Sequence, residues 1–122
     1  MDVPIVKEMI ISNIIAKEGL LRKINAALFV FRRDFNQLKF RDGFDKSLEE
    51  LLDILDLQLN IKKKLESILE ELEKDGTILG FDIEDMNLQT LDRILGNILQ
   101  AENYGEYENR LSLRVDELLE AV

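Results

Sequence analysis

Ile10, Ile14, Lys17, Leu21, Ile24, Leu28, Phe31, Phe35 and Leu38 decide the architecture of this chain. They recur at alternating steps of four and three, and only Lys17 among them is polar. Such steps form the seam of a helix that packs lengthwise on another helix, and here the seam runs through about four heptads. Asp2 is placed to cap the start of this helix, and Pro4 sits in its opening turn, where a missing N–H costs nothing. The helix is expected to reach Lys39 and Phe40 and to stop at Arg41-Asp42-Gly43, with Gly43 as the left-handed residue after it. Its roughly 36 residues make a rod of about 54 Å, and the seam keeps its phase across Gly19, so one unbroken helix is expected. Arg32, Arg33, Lys39 and Arg41 crowd the last turns, where cations complement the helix dipole. A flanking row of Met9, Ala16, Leu20, Ala27 and Val30 widens the stripe, so this helix needs two neighbours.

A second helix is expected from Ser47, where Ser47-Leu48-Glu49-Glu50 reads as a capping box, to Asp75, with Gly76 as its stop. Its first half, residues 48–61, is apolar on several sides, whereas its second half narrows to Leu65, Ile68, Leu69 and Leu72. Gln58 and Lys62 interrupt the seam Leu51, Leu55, Gln58, Lys62, Leu65, Leu69, Leu72. Two readings stand: polar seam residues that set register or oligomeric state, or a seam that rotates onto Leu59 and Ile61. The apolar linker at 76–82 is expected to plug one end of the bundle with Ile78, Leu79 and Phe81. Asp82 or Asp85 then caps a third helix carrying Leu88, Leu91, Ile94, Leu95, Ile98 and Leu99. A break or kink is expected at Gly105, since glycine costs about 1 kcal/mol relative to alanine inside a helix. The last segment carries Leu111, Val115, Leu118 and Val122 on one stripe, with Leu113 and Leu119 beside it.

The 122 residues allow one domain, and 46% hydrophobic with 34% charged residues suits a chain that folds alone. The net charge of −9 is uneven: nine Lys/Arg meet six Asp/Glu through Lys46, and seven meet nineteen beyond it. Attraction between these segments inside the fold is the plain reading, and the acidic part disfavours nucleic acid and anionic membrane. Cysteine is absent, as suits a reducing compartment. The most apolar stretch, residues 9–16, is too short to span a bilayer, and Met1-Asp2-Val3-Pro4 lacks the basic start of a secretory signal. A soluble cytoplasmic protein is the expectation.

Without His or Cys, most catalytic and metal constellations are unavailable, including imidazole or thiolate zinc sites and His-assisted nucleophiles. No Gly-x-Gly-x-x-Gly or Walker-type loop occurs. Carboxylate-Mg²⁺ chemistry survives this elimination. Glu49, Glu50, Asp53 and Asp56 resemble the acidic helix of the all-α nucleotide pyrophosphohydrolases, which implies Mg²⁺ held against phosphates. That family also needs Glu-x-x-Glu on an earlier helix, where this chain has only the isolated Glu8 and Glu18. Residues 32–41 interleave cations with Phe35 and Phe40 as some nucleic-acid sites do, but Phe35 and Leu38 lie on the seam, so a cationic helix end over a buried aromatic row is expected.

The sequence therefore reads as an all-α protein: an elongated antiparallel bundle of three long helices, the third either continuous or broken into two. In size, acidity and helical make-up it is similar to the small cytoplasmic chaperones of type III and flagellar export. The elimination of most chemistry and seams wider than one neighbour needs point to a protein-binding role without enzymatic activity or cofactor, gripping an amphipathic partner helix, and the resemblance implies that this role is chaperone- or adaptor-like. The competing classes are a phage or mobile-element inhibitor acting through an acidic surface, a Mg-dependent hydrolase and a structural oligomer. Residues 48–61 are the expected contact of a homodimer or tight heterocomplex. The expected partner-binding stripe is Leu111, Leu113, Val115, Leu118, Leu119 and Val122, flanked by Glu117 and Glu120.

Overall fold

The computed structural model describes residues 1–121, so Val122 lies outside the described residues. Among the described residues five helices run in chain order: α1 (Val3–Arg33), α2 (Phe35–Leu38), α3 (Phe44–Asp75), α4 (Leu88–Leu99) and α5 (Tyr104–Glu120). A two-stranded hairpin, β1 (Thr77–Ile78) and β2 (Phe81–Asp82), stands between α3 and α4. The long helices α1 and α3 lie antiparallel, and α4 followed by α5 forms the third rod. One apolar cluster joins Ile10 and Ile14 to Ile61, Leu65 and Leu72 and to Leu91, Leu95 and Leu99. At the opposite end, a second cluster joins Ile24 and Phe31 to Phe44 and Leu51 and to Val115 and Leu118. This is the expected all-α bundle, with the third helix in two pieces.

The seam of α1 buries Ile10, Ile14, Lys17, Leu21, Ile24 and Phe31. The helix does not reach Phe40. It ends at Arg33, where Asp34 leaves helical geometry (φ −101°, ψ 17°) and its carboxylate is gripped by Arg33 Nε and Nη2, both at 3.0 Å. Breaking there returns the chain early enough for Phe44 to seat on Phe31, with ring centroids 5.4 Å apart. The same preference moves the start of α3. Gly43, at φ 82°, precedes the helix, which gains a turn before Ser47, and Ser47 is buried in that turn instead of capping it. Burying Phe44 outweighs the capping box. The C-terminal stop falls where expected, with Gly76 in the left-handed conformation at φ 68°.

The linker corrects the expected plug. Ile78 is buried beside Ile83 and Met86, whereas Leu79 and Phe81 are 57% and 65% exposed. A two-residue turn, Leu79 (φ 53°) and Gly80 (φ 81°), joins the strands, and positive φ at both positions is the pattern of a type I′ hairpin turn. Glu71 holds this turn from α3. Its carboxylate accepts the Thr77 hydroxyl at 2.8 Å and the Leu79 and Gly80 amides at 3.1 and 2.9 Å. These donors, Gly80 foremost, hold the Glu71 carboxyl below its ordinary value of 4.5. Because the folded value is depressed, the stapling is complete above pH 4.5 and is lost as pH falls through the lower folded value. We expect the Leu79 and Gly80 amide resonances to titrate together, with a midpoint below that of a free glutamate. A midpoint at the ordinary value would show that the staple does not form.

Asn87, not Asp82 or Asp85, caps α4, its Oδ1 accepting the Thr90 amide at 2.8 Å. The break in the third rod falls at Gln100 (φ 57°), five residues before Gly105, and Gly105 sits in the first turn of α5. The Ala101 amide donates to Gly96 O, and a Cβ on Gly96 would lie 3.1 Å from Ala101 O, so glycine lets the chain fold back over the end of α4. Asn103 then caps α5, its Oδ1 accepting from the Glu106 amide at 3.3 Å.

Candidate functional site

Two features stand apart from the apolar packing: a polar layer inside the bundle and an open pocket at one end. The polar layer lies between the two apolar clusters. Lys17 is 1% exposed, and its ammonium donates to Gln58 Oε1 of α3 and pairs with Glu108 of α5. Gln58 is fully buried, and its Nε2 has no partner among the described residues. One polar side chain from each long element therefore meets its counterparts at a single level. Sliding α1 or α5 by a turn would strand the buried Lys17 charge, and sliding α3 would strand the Gln58 amide. Of the two seam interruptions on the second helix, Gln58 belongs to this layer. Lys62 instead lies at the surface, 3.6 Å from Glu18 and 3.7 Å from Glu66, and Ile61 takes its place in the core.

The pocket opens where α1, α2 and α3 meet. Leu28, Phe31, Arg32, Phe35, Phe44 and Leu48 line about 400 Å³ of open, largely apolar space. Its floor is the pair Phe31 and Phe44, whose rings are tilted 47° to each other, with Phe35 edge-on to Phe44 at 5.9 Å. The expected buried aromatic row is thus only half right. The break at Asp34 carries Phe35 to the surface, and Phe40 is 82% exposed. Cations lie against these rings, with Lys39 Nζ 5.0 Å from the Phe40 centroid and 5.8 Å from that of Phe35, and Arg33 6.0 Å from Phe29. Leu48 also begins a stripe along α3, Leu48, Leu52, Leu55 and Leu59, which continues the pocket for about 16 Å at 1.5 Å per residue. Leu52 and Leu59 on that stripe are exposed. In contrast, Leu51 and Ile61 of the same apolar half face inward.

The stripe on α5 faces the other way. Val115 and Leu118 are buried against α1 and α3, and Leu111 and Leu119 pack against the same cluster. Leu113 is 61% exposed on the opposite side, and Val122 is outside the described residues. Polar contacts hold α5 along both edges. Lys23 Nζ lies 2.8 Å from Ser112 Oγ and from Asp116 Oδ2, and Arg114 donates two bonds of 2.8 Å to Glu50 and one of 3.0 Å to Glu117. Arg114 holds the Glu50 carboxyl below its ordinary value. This engagement removes Glu50 from the acidic row, while Glu49, Asp53 and Asp56 point to solvent. Among the described residues, no three His, Cys, Asp or Glu side chains are grouped so as to hold a metal ion. Nor is any described helix long and apolar enough to cross a membrane.

No protein-family model, curated protein or solved structure matches this chain. Fold and pocket are therefore the whole basis for a functional reading.

Proposed function

We propose that this bundle is a non-enzymatic cytoplasmic protein-binding module, chaperone- or adaptor-like, that grips an amphipathic helix of a partner protein. The observation that carries this reading is the pocket over Phe31 and Phe44, open at the end of the bundle and continued by the leucine stripe of α3, on which Leu52 and Leu59 are exposed and Leu48 and Leu55 half-buried. Amphipathic helices seat in such grooves through apolar anchors at i, i+3 or i+4, and i+7. Arg32 and Lys39 at the rim favour a partner whose anchors are flanked by acidic residues. An α5 lifted from the bundle would offer a second apolar stripe, but the pocket needs no such opening.

Selection from a displayed library of helical peptides tests this reading. We expect enriched peptides to carry spaced apolar anchors with Asp or Glu beside them. We also expect Leu48→Glu to weaken their binding at least tenfold (about 1.4 kcal/mol) while the far-ultraviolet spectrum stays helical. Enrichment that ignores the Leu48 change would sink the assignment. Tight, salt-sensitive binding of single-stranded nucleic acid at Phe35 and Phe40 would point to a different trade.

A further inference from the structure

The joint between α4 and α5 is under strain. Gln100 closes α4 in the left-handed region at φ 57°, a conformation that favours glycine. Gly96 meets the returning chain closely, and a Cβ there would lie 3.1 Å from Ala101 O. The bend also reorients a face. Leu95 and Val115 are both buried and stand twenty residues apart, as do Leu91 and Leu111. At 3.6 residues per turn that is about 5.6 turns, so in one continuous helix the two stripes would point to opposite sides. With the joint straightened, α4 keeps its seat while α5 turns its apolar side away from its own bundle. The face of α1 and α3 that α5 covers is a specific one. It combines Ile24, Ala27 and Leu51 with the ammonium of Lys17, whose carboxylate partner is Glu108 of α5. A matching helix needs apolar residues at the spacing of Val115 and Leu118 and a carboxylate two turns before Val115.

We propose that α5 exchanges between copies: the joint at residues 100–103 opens, and the α5 of each of two molecules docks on the α1–α3 face of the other. The face itself fixes the occupant, because the α5 of a second copy repeats the contacts of the first. Val115 and Leu118 lie against Ile24 and Leu51 in either form, and Glu108 pairs with Lys17. With those contacts common to both, the joint and the protein concentration set the balance between monomer and exchanged dimer. Exchange requires α5 to leave a packed face, so the two forms interconvert slowly, and the dimer is made when the chain refolds at high concentration. The pocket over Phe31 and Phe44 takes no part, so peptide capture at Leu48 stands or falls separately.

Two joint variants and one mixture of the full chain test this. Refolded at millimolar concentration and separated by size exclusion, the wild type is expected to yield a dimer fraction that is absent after refolding at micromolar concentration. Gly96→Ala crowds the bend and favours a continuous helix, so it should raise the dimer-to-monomer ratio at least about tenfold. Gln100→Gly relieves the left-handed residue of the bend and should lower that ratio by about the same factor. The mixture is the sharpest measurement. Lys17→Glu and Glu108→Lys each set like charges against one another in the buried layer of a closed monomer. Refolded together, they exchange helices so that both faces hold opposite charges, one pair reversed and one native. A one-to-one heterodimer is expected, resolved from either parent by ion exchange and melting cooperatively well above each variant alone. This rescue does not require either variant to fold by itself. Three outcomes would each overturn the proposal: no dimer from wild type or Gly96→Ala at millimolar concentration, a dimer fraction indifferent to both joint changes, or a mixture that gains no heterodimer.

Discussion

Replacing Glu108 with alanine is expected to lower the free energy of unfolding by about 3 kcal/mol, a large share of the roughly 5–15 kcal/mol that holds a domain together. The cause is the charge left behind. Lys17 sits almost wholly out of water with its ammonium shared between Gln58 and Glu108, so deleting the carboxylate strands a cation in the core. Urea titration should show an earlier midpoint with an unchanged slope. The control separates the cost of breaking the layer from its net worth. Lys17→Met, Gln58→Leu and Glu108→Leu together remove every member, and buried ion pairs replaced by apolar residues are often neutral or more stable. We therefore expect the triple variant to match or exceed the wild type in midpoint. We also expect it to lose the constraint that aligns α1, α3 and α5 at one level, seen as broadened amide resonances. A Glu108→Ala variant within about 0.5 kcal/mol of wild type would mean that Lys17 reaches water and that the layer sets no register.

That layer also shows what one-dimensional spacing reveals and what it hides. Lys17 is legible as the one polar residue on its seam, whereas Gln58 is one of two interruptions, and spacing does not tell it from Lys62, which lies at the surface. Glu108, the partner of Lys17, breaks no pattern. It lies in the opening turns of α5, among other polar residues, and only the packing of three helices brings it to Lys17. The helix stop at Gly76 is legible because it is local: a left-handed residue after a run of helix formers. The pocket is not. Periodicity places Phe35 on the core seam, and it leaves the core because α1 ends at Asp34 so that Phe44 can reach Phe31. That is a tertiary choice overriding a local one. The hairpin escapes notice for the opposite reason: Leu79-Gly80 lacks the Asn-Gly signature of its turn.

Leu118→Ala is expected to cost about 2–4 kcal/mol, whereas Leu113→Ala, five residues earlier on the same helix, should stay within about 0.5 kcal/mol of wild type. Both leucines belong to the expected partner-binding set, Leu118 on its stripe and Leu113 beside it, but Leu118 is buried with Val115 against Ile24, Ala27 and Leu51, and Leu113 faces water. Truncation before Asn109 is the extreme case. It removes Val115 and Leu118 together and opens Leu20, Ile24, Ala27 and Leu51 to solvent. It also discards the ion pairs from Lys23 to Asp116 and from Glu50 to Arg114. The surface ion pairs contribute little, in the range of about 0–1 kcal/mol each, so the apolar loss decides the outcome. We expect the shortened chain to lose its cooperative melt, because α1 and α3 alone leave a broad apolar face uncovered. A truncated protein that keeps its melting temperature and helix content while losing its partner would reverse this, making α5 the gripping element and the pocket over Phe31 and Phe44 a bystander.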